Sequence, residues 1–74
     1  MRKTIYSKDH KFLVGQLKKA RIEMGLDQEK AGELLGKTQS FISKIEAGQR
    51  RIDVIQLQEF AKAYKKSLDF FIRK

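Results

Sequence analysis

The chain has 74 residues, of which 17 are Lys or Arg and 9 are Asp or Glu, giving a formal net charge of +8. This length predicts one domain with one small core. The absence of Cys and the presence of a single His exclude a disulfide framework and argue against a zinc site. No apolar run is long enough to span a membrane and no signal peptide is evident, so we expect a cytoplasmic protein. The excess of basic residues predicts a polyanionic partner, most often nucleic acid.

The N-terminal part of the chain predicts a short tail followed by a helix. Residues 1–6 lack a helical period and are expected to form a basic, flexible tail. After Ser7, which favours an N-cap, apolar residues recur on one face of a helix, namely Leu13, Leu17, Ala20 and Met24. Gly25 is expected to end this helix. His10 is expected to be a lone exposed histidine on its basic surface.

Two short helices are predicted next, over residues 28–35 and 39–47. Each has a suitable N-cap residue before it and a glycine after it, which are Asp27 and Gly36 for the first and Thr38 and Gly48 for the second. Such a pair, joined by a tight turn, has the plan of a helix-turn-helix.

The remaining sequence predicts two further helices. Asp53 and Gln56 have the spacing of a capping box, which begins a fourth helix. Ser67 is expected to cap a fifth segment over residues 68–72. Because no stretch alternates apolar and polar residues for long enough to form a strand, we predict a compact all-α, five-helix domain over residues 7–74.

The helix-turn-helix is the most informative part of the sequence. Gly32 is placed where the two helices cross, and Gly36 lies in the turn, where a left-handed conformation is least costly for glycine. Ile42 and Ile45 are expected to face inward. The outward residues of the second helix are then Gln39, Ser40, Ser43 and Lys44. These side-chain types bind base edges or phosphates.

Residues 17–71 resemble the phage repressor/Cro-like (Xre family) helix-turn-helix domain, which implies a five-helix lambda-repressor-like fold. The positions that match in register are Arg21, Gly25-Leu26, Gln28, Gly36, Gln39, Ile42-Ser43, Ile45-Glu46, Gly48, Phe60-Ala61-Lys62-Ala63 and Ser67-Leu68-Asp69. The resemblance implies a regulator, most simply a repressor, that binds a pseudo-palindromic double-stranded DNA operator as a homodimer. It implies no cofactor, and no small-molecule ligand is evident.

The resemblance also assigns roles to individual positions. It implies base contacts for the residues at the start and middle of the recognition helix, which are Gln39, Ser40, Ser43 and Lys44. It implies phosphate contacts for Gln28, Lys37, Thr38, Arg50 and Arg51. Arg21 and Glu46 match a pair that forms an internal salt bridge. The chain departs from the family pattern at Ala47, where a polar residue is frequent, and at Ile52, near a frequent proline.

Several alternatives remain open from the sequence. The chain could be an antitoxin or another protein-interaction module, or a nucleic-acid-binding protein without sequence preference, whereas an enzyme is disfavoured because no catalytic constellation is visible. The N-terminal cluster of basic residues, formed by Arg2, Lys3, Lys8 and Lys11, could enter the minor groove or add only non-specific affinity. The apolar group at residues 70–72 could complete the core or contact a second copy.

Overall fold

A computed structural model describes residues 7–73 and contains four α-helices followed by one short 3-10 helix. The elements are α1 (Lys8–Glu23), α2 (Gln28–Leu35), α3 (Gln39–Glu46), α4 (Val54–Tyr64) and the 3-10 helix (Leu68–Phe71). No strand occurs within residues 7–73, so the predicted all-α class is confirmed for that range. The predicted basic tail over residues 1–6 lies outside the described residues.

The predicted fifth α-helix is instead a four-residue 3-10 helix. Its hydrogen bonds join residues three apart, from Phe70 N to Ser67 O and from Ile72 N to Asp69 O. The Ser67 side chain makes no capping hydrogen bond, so its predicted capping role is wrong. A segment this short cannot complete the successive bonds that stabilise an α-helix.

The four α-helices begin where side-chain oxygens accept hydrogen bonds from otherwise unpaired backbone N–H groups. The predicted caps Ser7, Asp27 and Thr38 each accept from the residue three positions later. At α4 the predicted capping box is complete, because Asp53 and Gln56 each bind the other's backbone N–H.

The core lies between the four α-helices and the 3-10 helix. Its largest fully buried side chains are Leu17, Ile42, Ile45, Tyr64 and Phe71. Of the apolar group at residues 70–72, Phe71 is buried in the core and Phe70 packs at its edge, whereas Ile72 is 49% exposed. Contact of this group with a second copy stays a prediction.

The end of α4 was not indicated by any glycine. Lys65 adopts the left-handed conformation there, with φ of 59°, which a residue with a Cβ rarely does. The N–H of Lys66 donates to the carbonyl of Ala61 at 2.9 Å and closes the turn. The Lys66 ammonium group also binds Glu23 at 2.7 Å and lies 4.6 Å from the Phe70 ring centroid.

The close contact between α2 and α3 depends on Gly32. A Cβ atom at this position would lie 2.8 Å from the carbonyl oxygen of Lys37 and 3.0 Å from the carbonyl carbon of Thr38. Both neighbours are backbone atoms in the turn that leads into α3, so neither can rotate away. Gly15, in the middle of α1, has open space around it.

We predict opposite effects of alanine at these two helical glycines. Gly32→Ala should lower the free energy of unfolding by about 1–3 kcal/mol, because the turn must move away from α2. Gly15→Ala should raise it by about 1 kcal/mol, because alanine has the higher helix propensity. Urea denaturation of both variants measures the difference, and a Gly32→Ala variant as stable as the parent chain would contradict the crowding argument.

Candidate nucleic-acid interface

The turn between α2 and α3 has a backbone fixed by hydrogen bonds. Gly36 has φ of 70° and ψ of 30°, the left-handed region that favours glycine. The N–H of Lys37 donates to the carbonyl of Gly32 at 2.7 Å. Thr38 Oγ1 then accepts from the N–H of Phe41 at 3.0 Å. These bonds set the direction in which α3 leaves the turn.

The helix α3 has one buried and one exposed face. Ile42 and Ile45 are each 1% exposed and belong to the core. The four residues predicted to contact bases are all exposed, and their spacing places them on the face away from these isoleucines. They are Gln39, Ser40, Ser43 and Lys44. We call these four residues the exposed row of α3.

Basic residues lie within the exposed row and in the segments on both sides of α3. Residues 37–51 contain four cations and one acid. The cations, Lys37, Lys44, Arg50 and Arg51, are exposed, and none of them forms a salt bridge within residues 7–73. The single acid, Glu46, is bonded to Arg21. The positive charge on this side of the domain is therefore not neutralised by the described side chains.

One aromatic residue on this surface was missed as a site residue by the sequence analysis. Phe41 is half-buried and packs against the core. Its ring lies 5.2 Å from Lys37 Nζ and 4.7 Å from Arg50 Cζ, measured to the ring centroid. A cation within about 6 Å of a ring centroid is attracted to the aromatic face. In the sequence, the only indication of this contact is that Lys37 lies four residues before Phe41.

Two residues expected to bind phosphate make internal hydrogen bonds in the structure. Gln28 Nε2 donates to Glu46 Oε1 at 3.1 Å, and its side chain is half-buried. An amide nitrogen carries two hydrogens, so one remains for another acceptor. The hydroxyl of Thr38 accepts from Phe41 N, and it also retains its own hydrogen as a donor. Phosphate binding by both residues stays a prediction.

A buried polar network connects α1, α2 and the last residue of α3. The guanidinium group of Arg21 donates to both carboxylate oxygens of Glu46, at 2.7 and 3.1 Å, and to the carbonyl of Leu26 at 2.8 Å. The side chains of Arg21 and Glu46 are 10% and 6% exposed. With the bond from Gln28, the carboxylate accepts three hydrogen bonds in this network.

The charges of this network affect its titratable neighbours. The hydrogen bond with Glu46 raises the pKa of Arg21, so the guanidinium group stays charged. Burial, together with the nearby charge of Glu46, raises the pKa of Tyr64 to about 12. Tyr64 therefore stays neutral at physiological pH.

His10 is half-buried, so the prediction of an exposed histidine is wrong. It lies on α1 in a groove that is also lined by Arg51, Ile52 and Phe71. Its Nε2 atom is buried and has no hydrogen-bond partner among residues 7–73. Burial lowers the pKa of His10, and the charge of Arg51 lowers it further.

Within residues 7–73, no three His, Asp or Glu side chains lie close enough together to bind a metal ion. In the same part of the chain, none of the helices combines the length and the apolar character that crossing a membrane requires.

The fold, the exposed row and the basic residues around it define a helix-turn-helix DNA-binding domain. The family model described as Helix-turn-helix (HTH_3) matches residues 17–71. The chain belongs to this family of Xre/Cro-like domains, so the resemblance inferred from the sequence is confirmed. Its members are DNA-binding transcription regulators and are not typically enzymes. No curated protein sequence matches the chain.

We predict that Arg21→Ala lowers the free energy of unfolding by about 3–5 kcal/mol, because it leaves the buried carboxylate of Glu46 without its charged partner. The matched control is Lys66→Ala, which breaks an ion pair that is much more exposed and should cost only a small part of that loss. The double variant Arg21→Met/Glu46→Leu should recover much of the stability. Thermal denaturation measures all three, and an unchanged midpoint for Arg21→Ala would contradict the assignment.

We also predict a pH dependence of stability from His10. Its pKa in the folded chain is lowered, whereas the unfolded chain keeps a value of about 6.5. The unfolded state therefore gains a proton first as the pH falls. The contribution of His10 to stability is therefore fully present at a pH above its pKa in the unfolded chain. It is lost as the pH falls toward its lower pKa in the folded chain.

The measurement is the melting temperature of the parent chain and of His10→Asn between about pH 5 and about pH 8, where histidine changes its charge. The parent chain should lose stability with falling pH more steeply than the variant. Parallel curves would show that His10 takes up its proton equally well in both states.

Proposed function

We propose that this protein is a sequence-specific regulator of transcription that binds double-stranded DNA by placing α3 in the major groove. The observation that supports this proposal is the exposed row of α3, which lies opposite two core isoleucines. The row contains Lys44, and three more cations lie in the segments that flank α3; none of the four forms a salt bridge within residues 7–73. The major groove is wide enough to admit an α-helix, and its base edges distinguish all four base pairs.

The exposed row supplies the chemistry for reading bases. Gln39 can donate to and accept from an adenine, Lys44 can donate to a guanine, and the hydroxyls of Ser40 and Ser43 can bind either type of edge. Because these side chains are exposed on one face of a short helix, a single docking position brings all of them to neighbouring base pairs.

The phosphate contacts are proposed for the segments on either side of α3. Lys37 and Thr38 precede the helix, whereas Arg50 and Arg51 follow it. Gln28 lies at the start of α2, where backbone N–H groups also favour an anion. These contacts would fix the orientation of the domain without selecting a sequence.

We further propose that two copies bind a pseudo-palindromic operator, with half-sites about one helical turn apart. A single domain with few base contacts binds too weakly to be selective among genomic sites. Repression by blocking access of polymerase is the simplest mode of action. Such a protein would act in the cytoplasm, associated with the DNA of its bacterial, archaeal or phage genome.

The experiment that tests this function is selection from a random pool of duplexes at physiological salt, followed by sequencing of the bound fraction. A two-fold symmetric motif is the expected result, and it would supply the operator. Binding without any enriched motif, which collapses as the salt concentration rises, would indicate non-specific phosphate binding instead. Absence of binding would contradict the proposal and favour a protein partner.

With the selected duplex in hand, we predict that Gln39→Ala and Lys44→Ala each reduce the discrimination between that duplex and a scrambled one by about 1–3 kcal/mol. The matched control is Lys19→Ala, which removes an exposed lysine from α1, next to Glu23. The control should leave discrimination unchanged. An equal loss of affinity for both duplexes would assign the tested residue to phosphate contact.

A further inference from the structure

We propose that Phe41 is a positioning residue for DNA binding: its ring holds Lys37 and Arg50, one from each segment flanking α3, in place to meet the phosphate backbone. This inference rests on the proposed function. It concerns a residue that does not belong to the exposed row and that has no hydrogen-bonding side chain of its own.

The first observation is the ring geometry. Lys37 Nζ and Arg50 Cζ lie 5.2 and 4.7 Å from the centroid of the Phe41 ring, so both are within the range of a cation–π interaction. Like charges that approach one ring repel each other, and neither cation has a salt bridge within residues 7–73. Among the described contacts, the ring is therefore what draws the two cations together.

The second observation is that the ring itself is firmly anchored. Phe41 lies in the first turn of α3, its backbone N–H is bonded to Thr38 Oγ1 at 3.0 Å, and its side chain packs against the core. The backbone near each cation is also held by a hydrogen bond. The N–H of Lys37 donates to the carbonyl of Gly32 at 2.7 Å, and the N–H of Gln49, next to Arg50, donates to the carbonyl of Lys44 at 2.9 Å.

The consequence is pre-organisation of two long side chains. Exposed Lys and Arg side chains normally lose rotamer freedom when they bind a phosphate. Here part of that loss has already occurred in the free protein, because both cations contact the ring. The ring lies in the first turn of α3, so the two cations are held close to the start of that helix, where they would add affinity for phosphate without selecting a sequence.

The test compares Phe41→Leu with Phe41→Tyr. Leucine keeps an apolar side chain for the core but has no aromatic face, whereas tyrosine keeps the face. Phe41→Leu should weaken binding to the selected duplex and to a scrambled duplex by the same factor, about three- to tenfold. Phe41→Tyr should bind like the parent chain. Thermal denaturation accompanies each variant to verify folding.

A double-mutant cycle separates positioning from a general structural role. In a Lys37→Ala/Arg50→Ala background the ring has no cation left to hold, so Phe41→Leu should have no further effect on affinity. An equal effect in both backgrounds would overturn the proposal, and so would the absence of any effect in the parent background.

A readout without DNA makes failure of this inference distinguishable from failure of the proposed function. In the free protein, NMR signals of the Lys37 and Arg50 side chains should show ring-current shifts that persist in Phe41→Tyr and vanish in Phe41→Leu. Unshifted signals in the parent chain would overturn the positioning role even if DNA binds. Shifted signals in a parent chain that binds no duplex would overturn the proposed function, and the role in binding with it.

Discussion

The bidentate bond between Arg21 and Glu46 is the interaction on which the arrangement of the domain depends. It joins the C-terminal part of α1 to the last residue of α3. Arg21 also donates to the carbonyl of Leu26, and Glu46 also accepts from the side-chain amide of Gln28. A guanidinium group in this geometry fixes both distance and angle, because its donors lie in one plane. The direction in which α3 presents its outer face is thereby tied to α1 by directional bonds as well as by apolar packing.

The other end of α3 is fixed by a different physical principle. There the turn at residues 37–38 lies very close to α2, because Gly32 has no side chain. Even a methyl group at position 32 would collide with the backbone of the turn. A directional polar contact at one end and steric exclusion at the other leave the helix little freedom to tilt. Between these two points, Ile42 and Ile45 are buried in the core and stabilise the packing of α3. They fix the orientation of the helix less strictly, because hydrophobic burial is non-directional.

Features determined by local chemistry could be predicted from the sequence. The N-caps at Ser7, Asp27 and Thr38 act within three residues, so the pattern alone was sufficient. Features that depend on distant contacts could not be predicted in the same way. The burial of His10 depends on Arg51, Ile52 and Phe71, which are remote in the sequence, and the left-handed Lys65 ends α4 without the glycine that would have indicated it. The helix period indicated the exposed row of α3, and the resemblance supplied the candidate phosphate contacts. Neither indicated the ring that Lys37 and Arg50 share or the bond from Gln28 to Glu46.

The shortness of α3 limits how much information one copy can read. Eight residues at 1.5 Å each extend over about 12 Å, and base pairs are stacked every 3.4 Å along the DNA, so the helix faces about four of them. A sequence of four base pairs recurs by chance roughly once in every 250 positions, whereas a genome offers about a million or more competing sites. In the proposed mode of binding, a second half-site lowers this chance frequency to roughly one in 65,000 positions, so two copies of α3 are far more selective than one.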